Sequence, residues 1–190
     1  MKTHILPCFC IIIIALLLPQ LSRAQDSTAI NRFWFSSGLG VGQADGELDA
    51  SSMNGFFAGS LNGSYQNGAN LFSTRSAIVS SGCFLQPCDH EVFWDVALLY
   101  GRSTTQKWAQ ASIALGPAVT GRVEEHDSHP PEAEFEEWTT IGLAGEVQLF
   151  LRIPIIGVGL YGFANLNDRE SFYGLTLNLQ VWGPRAHNGG

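Results

Sequence analysis

From residue 31 onward the chain is a succession of short stretches in which apolar and polar positions alternate. The alternation is cleanest from Phe172 to Trp182. Tyr173, Leu175, Leu177, Leu179 and Val181 take one parity, and Phe172, Gly174, Thr176, Asn178, Gln180 and Trp182 take the other. Successive side chains of a strand point to opposite faces, so this stretch carries one nearly pure aliphatic face and one largely polar face. Its length matches the roughly 9–11 residues of a tilted strand crossing a bilayer.

Seven further segments precede it. Asn31 to Gly42 sets Phe33, Phe35, Leu39 and Val41 against Trp34, Ser36, Gly38, Gly40 and Gly42. Asn54 to Gln66 sets Phe57, Leu61 and Tyr65 against Ser60, Asn62 and Ser64. Ala69 to Ser81 puts Phe72 and Ile78 with Thr74 and Ser76, opposite Arg75. Glu91 to Gly101 puts Val92, Trp94, Val96, Leu98 and Tyr100 opposite Phe93, Asp95, Ala97 and Leu99. Lys107 to Gly121 puts Ile113, Leu115 and Val119 opposite Gln110, Ser112 and Gly116, with Pro117 suggesting a strand end or a bulge. Trp138 to Leu151 puts Ile141, Leu143, Val147 and Leu149 opposite Thr140, Glu146 and Gln148. Ile155 to Asn165 is apolar on both faces.

That makes eight strands. Short links fall between the second and third, where Asn67-Gly68 is a strong hairpin-turn dipeptide, between the fourth and fifth, and between the sixth and seventh. The others are longer: residues 43–53, 82–90, 122–137 and, more modestly, 166–170. An even-numbered antiparallel barrel with both termini on the short-turn side has this alternation. The pattern predicts an all-β, eight-stranded antiparallel up-and-down transmembrane β-barrel over residues 31–182. Gly38-Leu39-Gly40-Val41-Gly42 is not a nucleotide loop, because no helical pattern follows it.

The N-terminus changes the picture by adding a destination. Lys2 and His4 precede an apolar run from Ile5 to Leu18, then Pro19 and the small residues around Ser22-Arg23-Ala24. The run is shorter than the roughly 20 residues of a spanning helix. The order is that of a cleaved signal peptide, residues 1–24, followed by a lead-in, 25–30; a polar tail, 183–190, ends the chain. Removal of Lys2 and Arg23 takes the formal charge of −7 to −9, which argues against a nucleic-acid partner. Cys8 and Cys10 leave with the signal. Cys83 and Cys88 remain, close together in an exported chain, and read as a local disulfide.

Charge is nearly absent from strand middles. Arg75, Asp95 and Glu146 are the exceptions, each opposite its strand's best apolar face. A cation facing lipid at mid-depth costs roughly 2–4 kcal/mol, so the three are expected inside, in a shared polar network filling the lumen. Trp108, Trp138, Tyr100 and Tyr173 are candidates for interfacial girdles, whereas the parity of Trp34 and Trp182 points inward. The acidic stretch with Glu124, Glu125, Asp127, Glu132, Glu134, Glu136 and Glu137 lacks the spacing of a calcium loop and reads as solvated surface. His90, His126, His129 and His187 fall in loops or the tail, and no Ser–His constellation or nucleophile elbow is present. No catalytic site, metal site or cofactor is implied.

The run from Gly157 to Asn167, followed by Tyr173-Gly174-Leu175-Thr176-Leu177-Asn178-Leu179, resembles the final hairpin of small outer-membrane barrels of Gram-negative bacteria, of the OmpX/OmpA-barrel kind. Phe172-x-Gly174-x-x-Leu177-x-Leu179 is similar to the signal read by the barrel-assembly machinery, although the tail beyond Trp182 departs from the pattern. The resemblance implies residence in the bacterial outer membrane, lipid and the assembly machinery as partners, and a structural or surface-interaction role through the loops. The expected lipid-facing belt is Leu39, Val41, Ile141, Leu143, Val147, Leu175, Leu177 and Leu179. The competing reading is a soluble or periplasmic lipocalin-like carrier, in which those same residues line a cavity.

Overall fold

The structure is a computed structural model and describes residues 31–44, 56–81, 90–106, 108–125, 136–153 and 156–183. They form eight strands: β1 (Arg32–Ala44), β2 (Phe56–Asn67), β3 (Asn70–Ser81), β4 (His90–Thr105), β5 (Ala109–Glu125), β6 (Glu136–Arg152), β7 (Ile156–Leu166) and β8 (Phe172–Trp182). Each pairs antiparallel with its neighbours in sequence, and β1 pairs with β8 to close the barrel. Closure runs from Trp34 opposite Trp182 to Ala44 opposite Phe172, so no sheet edge is left unpaired.

The period-2 pattern fixes which side is which. In β8 the residues alternate strictly, with Leu177 at 61% exposure beside Asn178 at 0%. The lumen is filled rather than open, as expected for eight strands. Toward the long-loop end it is packed by Val79, Phe93, Tyr161, Phe163 and Phe172. Toward the short-turn end it is packed by Trp34, Leu71, Leu99 and alanines of β4, β5 and β6. Polar side chains lie between and beside these groups.

Local chemistry explains the turns. Gly68 has φ of 61°, the left-handed value that a two-residue hairpin turn demands, and Gln66 Nε2 donates to its carbonyl at 2.6 Å. After β7, Asn167 Oδ1 accepts from the backbone N–H of Arg169 and Glu170, both at 2.9 Å, and closes the turn in place of a backbone carbonyl.

The structure corrects four expectations. Pro117 neither ends β5 nor marks a bulge: the register with β4 is the same on both sides of it. The ladder to β4 lapses at Pro117 and its neighbour, as a residue without N–H requires, while Pro117 still stands opposite Leu143 of β6. β4, β5 and β6 are longer than their apolar cores, so the acidic loop is shorter than residues 122–137, and the link after β4 begins at Gln106 rather than Arg102. A 17-residue strand such as β5 spans roughly 56 Å, well beyond a hydrocarbon core of about 30 Å, so β4 to β6 project past the other strands. His90 opens β4 instead of lying in a loop. Trp138 shares the parity of Glu146 and packs against the luminal aromatic cluster, so it is no girdle residue. Tyr100 and Tyr173 are exposed on the outer wall, at 55% and 43%, and Trp108 is exposed in the link before β5, at 67%.

The signal, lead-in and tail expectations fall on residues outside those described, as do Cys83 and Cys88.

Candidate functional site

The chemistry of the chain is concentrated in the lumen, where the sheet brings inward-facing polar residues together across the barrel. Arg75 of β3 and Asp95 of β4 are both fully buried and paired. They sit diagonally, since Ala77, not Arg75, is the register partner of Asp95. Arg75 Nε donates to Asp95 Oδ1 at 3.1 Å, and Nη2 donates to Oδ2. Its remaining donors cross the lumen: Nη1 reaches the Gly145 carbonyl at 2.7 Å, and Nη2 reaches the Ala164 carbonyl at 3.3 Å. The guanidinium also lies over the Phe163 ring, 5.5 Å from its centroid. Asn165 Nδ2 donates to Asp95 at 3.0 Å. One arginine thereby ties β3 and β4 to β6 and β7.

Glu146 of β6 is the centre of a second group. Its carboxylate accepts from Gln148 Nε2 at 2.9 Å and from the Tyr161 hydroxyl at 2.7 Å. The same hydroxyl stands 3.0 Å from Asn62 Oδ1 on the far wall. A third group joins the closing seam: Ser60, Thr176 and Asn178 link β2 to β8, with Asn178 Nδ2 donating to Ser60 at 3.0 Å. These bonds satisfy groups that would each cost about 1–3 kcal/mol if buried unpaired.

Arg75, Asp95 and Glu146 thus all face inward, and the structure sorts them into two neighbouring hydrogen-bonded groups. Tyr161, Asn165 and Asn62 were not anticipated as members. Asn62 carried a usable signal, since it shares its face with Ser60 and Ser64. Tyr161 carried less, because β7 is apolar on both sides.

At the long-loop rim, Arg122 is bound by Glu91 at 2.8 Å and by both oxygens of Glu170 at 3.1 Å, and it covers the Phe93 ring. This ties the β7–β8 turn to β4 and β5. Among the described residues no group of three His, Cys, Asp or Glu side chains is placed to hold a metal ion.

The outer wall is the counterpart of the lumen. Leu39, Val41, Ile141, Leu143, Val147, Leu175, Leu177 and Leu179 are all exposed there, Ile141 at 76%. The exposed apolar side chains run round all eight strands, from Phe33 to Val181.

No protein-family model and no curated protein matches the chain. Solved structures do. Neisserial surface protein A (NspA) is similar over 78% of this chain and 96% of its own, with a TM-score of 0.60 and 11% identity. Ail, the attachment invasion locus protein of Yersinia pestis, solved with the heparin analogue sucrose octasulfate, is similar over 83% of this chain and all of its own, with a TM-score of 0.56 and 12% identity. The fold is that of the small eight-stranded outer-membrane barrels. At these identities the likeness is one of architecture, carried by strand number and closure rather than by shared side chains.

Proposed function

We propose that the chain is a bacterial outer-membrane barrel with a structural or surface-interaction role and no catalytic centre. The observation that carries this reading is the continuous outer belt of exposed aliphatic residues around a charged and amide-rich lumen. A monomeric soluble protein rarely exposes an apolar patch larger than a few hundred Å². A closed sheet can do so in hydrocarbon because every backbone group stays paired. The carrier reading needs Leu175, Leu177 and Leu179 around a cavity. They face outward, and side chains fill the lumen.

In this reading residues 1–24 direct export and are removed, and the Phe172–Leu179 pattern is read by the barrel-assembly machinery. Cys83 and Cys88 staple an outer loop, contributing no more than about 2–3 kcal/mol because the loop they close is short. The long loops meet the surface partner. Ail binds a sulfated heparin analogue; the long-loop end of this chain is rich in carboxylates, so its partner would be cationic rather than sulfated.

Envelope fractionation tests the reading. The mature chain should sediment with outer membranes and enter solution only with detergent. Recovery in the soluble periplasmic fraction without detergent would refute it.

A further inference from the structure

Charge is segregated along the barrel axis. Among the described residues, Glu91, Glu124, Glu125, Glu136, Glu137, Asp168 and Glu170 lie at the long-loop end, and only Asp95 and Glu146 of the acidic residues do not. Among the described basic residues, Arg122 and Arg169 lie there, whereas Arg32, Arg102 and Arg152 lie at the short-turn end. The outward-facing member among the described cations of the short-turn end is Arg102 of β4. It is exposed and stands opposite Asn70 of β3, with Nη1 3.5 Å from Asn70 Oδ1. The Tyr100 hydroxyl donates to the same oxygen at 3.0 Å. Arg102 and Tyr100 are thereby held side by side on the outer wall.

Directly beyond them, toward mid-barrel, the wall is grooved. A depression of about 530 Å³ is lined by Phe33, Phe35, Phe72, Tyr100, Leu98 and Leu115. Its floor is low because Gly63 and Pro117, both on the outward face, raise little side chain there. Phe72 and Tyr100 pack as a tilted pair at 5.2 Å and form one bank. A guanidinium and a phenol at the membrane surface, with an aromatic-walled apolar groove running inward from them, have the shape and polarity of a phospholipid: anionic head, then acyl chain. Such chemistry is matched by no soluble anion, which would leave the groove uncovered.

We propose that Arg102, with Asn70 and Tyr100, holds the phosphate of an anionic phospholipid in the leaflet at the short-turn end, and that the Phe72–Leu115 groove takes one of its acyl chains. The site rests on the membrane reading above, because a groove open to water would not hold a chain. It gives the short-turn end a lipid preference that the acidic long-loop end lacks. A cation at an anionic membrane surface is worth about 1 kcal/mol, a preference of about fivefold.

The test is native mass spectrometry of the folded mature barrel released from vesicles of phosphatidylcholine mixed with phosphatidylglycerol. The wild type should retain phosphatidylglycerol over phosphatidylcholine. Arg102→Gln should lower that preference about fivefold, and Arg169→Gln, at the opposite end, should leave it unchanged. Thr74→Phe, which fills the groove from its exposed bank, should reduce retention of both lipids. Sodium phosphate should affect retention no more than sodium chloride of equal ionic strength; selective displacement by phosphate would reassign the site to a free anion and overturn the proposal. Equal retention of the two lipids by the wild type, or an unchanged preference in Arg102→Gln, would overturn it as well. Heat-modifiable gel mobility separates these results from a failure to insert: a chain that never folds into vesicles refutes the membrane reading itself.

Discussion

The two sides of one closed sheet obey opposite rules. On the outer wall, large aliphatic residues such as Leu177 and Ile141 are left exposed, and the strand-borne charges are excluded until the ends. On the inner side, one residue away, Asn178, Gln180, Arg75 and Glu146 are buried to 2% exposure or less and bonded to other luminal side chains or to the backbone. A water-soluble protein reverses this assignment. The comparison teaches that strand parity decides what is buried in this chain: charged and amide side chains go inside, where they bond neighbouring side chains and the backbone beside the luminal apolar clusters. The inside is held by specific bonds between named partners, and the outside by a solvent that needs none. Damage on the two sides should therefore differ in kind. Inside, losing one partner strands another. Outside, only the addition of charge is severe.

The largest effect expected is inside. Arg75→Leu leaves Asp95 buried with only Asn165 as a donor and releases the Gly145 and Ala164 carbonyls. The loss should be about 3–5 kcal/mol, read as a shift in the urea unfolding curve of the barrel in vesicles. A shift under about 1 kcal/mol, within the range of an exposed ion pair, would mean the pair is not dry. Outside, Leu177→Arg should cost about 2–4 kcal/mol in the same assay, because it sits mid-way along β8 on the lipid face. An unaffected midpoint would place that wall against water. Smaller again is Tyr161→Phe, which removes the hydroxyl serving Glu146 and leaves the ring in place. It should destabilise by about 1–3 kcal/mol, and Glu146→Gln in the same background should recover part of the loss by removing the unsupported charge. If the two substitutions are additive, the Glu146–Tyr161 contact carries no coupling.

Much of this was legible in the sequence because a strand's period is two. Once Leu177 and Asn178 are read as opposite faces, eight such stretches give the barrel, its hairpin order and the inward side of Arg75, Asp95 and Glu146. The parts that escaped have physical causes. β4 to β6 outrun their apolar cores because strand pairing continues beyond hydrocarbon, where no hydrophobic pattern marks the ends. Pro117 reads as a break, yet it sits within a strand that is paired on its other side, and one lapsed ladder step is tolerated there. Trp138 has the bulk of a girdle residue, but its parity is that of Glu146 and turns it inward. The partners of the lumen were least legible. That Arg75 reaches the carbonyls of Gly145 and Ala164, or that Tyr161 reaches Asn62, depends on how strand tilt and stagger bring opposite walls into contact, and no local pattern encodes that.

The central claim, that lipid meets the Leu177 face and not the Asn178 face, is tested most directly by single cysteines at those two positions, in a background in which Cys83 and Cys88 are replaced by serine. The barrel is folded into vesicles and treated with an environment-sensitive thiol fluorophore. The cysteine at Leu177 should label and emit as a hydrocarbon-embedded probe, quenched by quenchers carried on the acyl chains. The cysteine at Asn178 should stay unreactive in the folded barrel and label only after unfolding. Acyl-chain quenching at position 178 with none at 177, or a mature chain that remains folded and soluble without detergent or lipid, would contradict the account.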